Sequence, residues 1–117
     1  MPYNYNGSGA FAPSGVTYKL VYTGDSTDDS YEIKPAAAVQ VLAEQNIAIA
    51  FGTTDADTQA IFPTTDGEEG EGCIIQKEWQ TVIALPQVGA YNDSGKMYVS
   101  VAGEVAGNVW ISLGDLV

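Results

Sequence analysis

The sequence predicts an all-β domain, an antiparallel β-sandwich or jelly-roll-like barrel carrying an extended N-terminal arm. Three observations point there. Apolar residues recur with period two in short runs, β-branched and aromatic residues fill those runs, and Gly, Asp, Asn and Pro separate them. A length of 117 residues supports one domain, read as residues 16–117, with the arm over residues 1–15.

The arm combines Tyr and Asn with Gly7-Ser8-Gly9, Pro13 and Gly15, a composition that by itself suits a loose tail. Tyr3, Tyr5 and Phe11 are large aromatics that gain from burial. Two placements remain open: the arm packs on its own domain, or it reaches a neighbour.

Residues 16–23 read as the first strand, with Val16, Tyr18, Leu20 and Tyr22 sharing one face. Residues 24–30 form a turn, and residues 31–34 resume a strand that Pro35 ends. The segment 35–44 is ambiguous. Its alanines and a proline at a first helical position favour helix, whereas Val39 and Val41 alternate as in a strand. A short turn or single helical turn near Pro35, then a strand over 37–43, reconciles the two. Residues 46–52 are the cleanest strand, with Ile47, Ile49 and Phe51 on one face and Ala48 and Ala50 on the other. A polar loop at 53–58 and a short run at 59–63 lead into an exposed acidic loop at 64–72. Strands recur at 73–76, 81–85, 97–102 and 108–113, with turns at 92–95 and 106–108, giving eight or so in all.

Charge narrows the function. The chain holds no histidine and no arginine, and its four lysines (Lys19, Lys34, Lys77 and Lys96) face fifteen carboxylates, for a formal net charge of −11. Binding to DNA rests on Lys and Arg neutralising phosphates, so no nucleic-acid partner is expected, and no anionic membrane. No apolar run is long enough for a membrane-spanning helix. Residues 1–6 lack the positive region and apolar core of a signal peptide, so synthesis in the cytoplasm is expected. The single cysteine, Cys73, lies in Gly72-Cys73-Ile74-Ile75 and reads as a small hydrophobe at the start of a buried strand.

Chemistry finds little support. Asp25/Asp28/Asp29, Asp55/Asp57 and Asp66/Glu68/Glu69/Glu71 invite a cation, Asp55 and Asp57 foremost because they follow a strand, but none matches an EF-hand and no metal is assigned. Acid–base work needs a desolvated carboxyl, and only Glu78 beside Trp79 and Glu104 near a strand end are candidates. Cys73 and every serine lack a histidine base. The chain is read as no enzyme, without catalytic residues or cofactor. Aromatics offer more: Trp79, Tyr91, Tyr98 and Trp110 suit a protein interface or a sugar platform, with core packing as the ordinary alternative. The chain stays apolar through Leu116 and Val117, as a covered final strand would. Tyr3, Tyr5, Phe11, Trp79, Tyr91, Trp110, Leu116 and Val117 are therefore the candidate interface residues.

The runs "IAIAFGTTDADTQAIF", "TVIALP" and "MYVSVAGEVAGNVWISLGDLV", separated by the acidic glycine loop, carry a further signal. Their cadence over residues 46–113 resembles small β-sandwich virion proteins of tailed bacteriophages: a strand ending in Phe-Gly, a strand with Ala60, a strand closed by Pro86, and a Val/Ser-rich final hairpin. The acidic insertion at 66–71 departs from that pattern. The resemblance implies a capsid decoration (cement) protein on the head exterior, acting as a homo-oligomer with the major capsid protein or other virion proteins as partners. Its alternatives are a tail, neck or head-fibre component, or a glycan-binding module at a virion tip.

Overall fold

The computed structural model describes residues 10–24, 26–27, 30–85 and 95–116. They form ten strands and no helix: β1 (Phe11–Tyr22), β2 (Ser26–Thr27), β3 (Tyr31–Ile33), β4 (Ala38–Ala43), β5 (Ile47–Gly52), β6 (Ala60–Ile61), β7 (Cys73–Ile75), β8 (Thr81–Ala84), β9 (Met97–Gly103) and β10 (Gly107–Leu116).

The pairing is nested. β1 pairs with β10, β3 with β9, β4 with β8 and β5 with β7, all antiparallel, so the chain doubles back on itself as one long ribbon. Two further pairings, β10 with β4 and β9 with β5, curl that ribbon into two four-stranded sheets. Their orders are β1-β10-β4-β8 and β3-β9-β5-β7. This interleaving is the strand order of a jelly roll. The all-β sandwich read from period-two patterning is what the chain adopts.

Strand alternation decides what lies between the sheets. Leu20, Val41, Val109 and Ile111 from one sheet meet Ile47, Ile49, Val99 and Met97 from the other in a single apolar cluster, with Val16 and Tyr18 packed against it. Truncating a side chain such as Ile111 to alanine removes about 2–5 kcal/mol of stability.

Several local expectations change. Pro35 starts no helical turn: the chain runs irregularly until Ala38 enters β4. The last hairpin turns two residues earlier than expected, over residues 104–106, and Gly107 and Asn108 already belong to β10. The first strand begins at Phe11, inside the segment read as an arm. Phe11, Ala12 and Pro13 pair with Leu116, Asp115 and Gly114 before the register shifts between Pro13 and Thr17. Gly15, with φ 94°, sits in that irregularity, and the Ser14 hydroxyl donates to the Leu113 carbonyl at 3.1 Å across it.

Cys73 is exposed rather than buried. β7 is a three-residue strand at the edge of its sheet, with β5 as its only partner among the described strands, so its first residue stands at the rim and only Ile75 of the three reaches the core.

Candidate interaction surface

The outer faces of the two sheets differ. On β3-β9-β5-β7 the outward positions of β5 and β9 are small apart from Tyr98, and the chain's own crossover lies on the small ones. Ala48 and Ala102 pack with Ala60 of β6, joined by Ala50 and Phe62, in a second buried cluster. Ser100 anchors this cover, its buried hydroxyl oxygen accepting the Ala60 N–H at 3.0 Å. Thr58, also buried, donates to the Thr54 carbonyl at 2.6 Å and holds the preceding loop.

No described segment covers the outer face of β1-β10-β4-β8. Register places Trp110 at its centre, between Lys19 of β1 and Leu42 of β4. The next row holds Thr17, Ser112, Gln40 and Val82, and the Thr17 and Ser112 hydroxyls lie 3.0 Å apart in a hydrogen bond. Val21 is 55% exposed and Val82 42%. Phe11 and Leu116, partners in register, extend this face beyond the bulge. The Phe11 ring covers Gly114, where an added Cβ would lie 2.7 Å from the ring.

None of the outward positions of these four strands is an acid; Lys19 is their one charge. Glu44 borders one end, accepting from the Asn108 backbone N–H at 2.9 Å and its side-chain amide at 3.0 Å.

Of the residues singled out from sequence, the fold brings together Phe11, Trp110 and Leu116 on this face. Trp79 is elsewhere, 64% exposed on the β7–β8 turn. That turn is fixed by Glu78 at φ 63°, whose N–H donates to Ala43 at 2.9 Å, and by Lys77, whose N–H donates to Asn46 Oδ1 at 2.9 Å. Tyr3, Tyr5, Tyr91 and Val117 lie outside the described residues. Val21, Leu42 and Val82 complete the face but escaped the sequence reading. Their signal is an apolar residue at the polar phase of an alternating strand, as in Val41-Leu42-Ala43.

Of the carboxylates proposed for chemistry or ions, Asp25, Asp28 and Asp29 lie outside the described residues, and the others have other surroundings. Glu78 and Glu104 are exposed in turns, without the desolvation an acid catalyst needs. Asp57 accepts the Thr54 hydroxyl at 2.9 Å, and Asp55 takes that of Ser30. Among the described residues, no three His, Cys, Asp or Glu side chains are grouped to hold a metal. The acidic loop is exposed throughout residues 64–72, and Glu68 organises part of it. Its carboxylate accepts the Thr64 and Thr65 N–H groups at 2.7 and 3.2 Å, which holds its pKa below the usual glutamate value.

An open groove of about 260 Å³ lies where β1 and β10 meet the β3–β4 link, lined by Ala12, Val16, Pro35, Ala36 and Leu113, with Lys34 and Asp115 also contributing. It offers one ammonium and one carboxylate around an apolar floor, enough to seat a side chain.

No family model, curated protein or solved structure matches this chain. Its reading rests on its own geometry.

Proposed function

We propose that this chain is a structural assembly protein of a virus particle, a small decoration protein that coats and stabilises a phage head. The carrying observation is the face around Trp110, which no described segment covers and whose described outward positions hold no carboxylate, on a chain of net charge −11. Placing that face against protein removes apolar surface from water at about 25 cal/mol per Å² while the acidic loops stay solvated. Jelly-roll order adds fold-level analogy, since viral capsid domains share it, although lectins do too and one fold hosts many functions.

The protein content of purified particles tests the reading. Recovery in copy numbers matching the shell subunits supports decoration, and a few copies per particle move the protein to tail, neck or fibre. Absence from particles overturns it.

Trp79 supports a second reading. A tryptophan 64% exposed on a fixed turn is a platform on which a sugar ring can stack. Under that reading, titration with host-surface glycans shifts the tryptophan emission, and Trp79→Ala abolishes the shift.

A further inference from the structure

We infer that the open face of β1-β10-β4-β8 is a self-association surface and that its occupant is the same face of a second copy. The inference names the partner of the face on which the proposed function rests. Six residues supply its apolar character: Phe11, Val21, Leu42, Val82, Trp110 and Leu116. Charge selects the occupant. A strongly basic partner would be drawn to the acidic loops, and this face offers it no carboxylate. A copy of this chain must keep its acids from facing one another, and among the described residues the outward positions of these four strands carry none, Glu44 standing only at one end. The one charge there, Lys19, sits on the edge strand beside Trp110. A two-fold axis running along the strands at Trp110 sets the two lysines on opposite sides of it, offset laterally by about 10 Å, two strand spacings.

Area agrees. Four strands about 4.8 Å apart, with β1 and β10 extended to Phe11 and Leu116, present about 500 Å² in plan. Two copies bury about 1,000 Å² together, the lower bound for a specific interface. Twisted sheets already pack in this way, about 10 Å apart and near −30°.

The test is the mass of the purified full chain in solution, by sedimentation across a concentration series, at low and high salt. Twice the chain mass is expected, with association strengthened by salt because screening weakens repulsion between two acidic molecules. Val82→Glu places an unpaired carboxylate in the contact and weakens association at least about tenfold. Ile74→Glu, at a position 55% exposed on the other sheet, leaves it unchanged. Circular dichroism confirms that both variants stay folded. A monomer at every concentration overturns the inference, as does a dimer that survives Val82→Glu, one broken by Ile74→Glu, or one weakened by salt. A monomer still recovered on particles removes the copy-on-copy contact and leaves the particle reading standing.

Discussion

The Tyr22 ring lies so close to the Gly103 backbone that a methyl group on that glycine would sit 2.6 Å from ring carbon Cε2. Gly107 is under the same constraint, 2.7 Å from the phenol oxygen. Two glycines flanking the β9–β10 turn thus form the seat for one β1 aromatic at the end of the sandwich. Gly103→Ala is expected to cost about 1–3 kcal/mol through overpacking, measured by urea denaturation. In Tyr22→Leu the same change should cost clearly less, because the clash is with the ring.

Tyr22 also brings a liability. Among the described residues its buried hydroxyl finds no hydrogen-bond partner of good geometry, and burial, followed by the Glu44 carboxylate, raises its pKa above the ordinary tyrosine value against a smaller lowering pull from the Gln45 backbone. The unfolded chain therefore loses this proton first as pH climbs. Stability is held below the unfolded pKa near 10 and falls as pH rises from there towards the folded value. Tyr22→Phe should leave neutral-pH stability unchanged or slightly higher and flatten the decline above pH ~10, read from melts across alkaline pH.

For Glu68 the sign reverses. Its lowered pKa means that the carboxylate's support for the Thr64–Glu68 turn is present above the unfolded value near 4.3 and is lost as pH falls through the folded one. Gly67, at φ 81°, supplies the backbone this turn needs. Glu68→Gln is expected to speed hydrogen exchange at the Thr64 and Thr65 amides without moving the global melting temperature, since the loop is solvated.

Ser100→Ala strands the buried Ala60 N–H. The expected cost is about 1–3 kcal/mol, because an unpaired buried donor carries its full desolvation penalty. The exchange rate of the Ala60 amide should rise before the core strands open, showing that the crossover lifts first.

An exposed Cys73 should react with an aromatic disulfide reagent in the native state, without denaturant. Protection until global unfolding would return it to the buried position read from its apolar neighbours.

That last contrast shows where sequence reasoning succeeds and where it stops. Val16, Tyr18, Leu20 and Tyr22 declare their common face because period-two alternation is local, and the structure packs them inward. The burial of Cys73 depends on whether its strand is central or at an edge, which is a property of pairing across the chain. Pairing also decided Phe11: Pro13 and Gly15 mark the segment as irregular, while only the partner residues 114–116 make it strand. The small residues Ala48, Ala60 and Ala102 reveal their shared cluster only once the crossover is folded back. Trp110 was legible as a candidate, yet Leu42 and Val82, which complete its surface, looked like ordinary strand hydrophobes.

The nested ribbon has a consequence for how the molecule is made. β1 is the first described strand to leave the ribosome, and its sole partner in the sheet, β10, is the last. The sheet β3-β9-β5-β7 is complete once β9 has emerged, whereas β1 cannot join a sheet until β10 follows. Loop entropy must be overcome across nearly the whole length before Phe11 meets Leu116, which places folding in the slow, non-local regime. Until then β1 exposes an unpaired edge on both sides, the interval in which nascent chains are most prone to pair with one another.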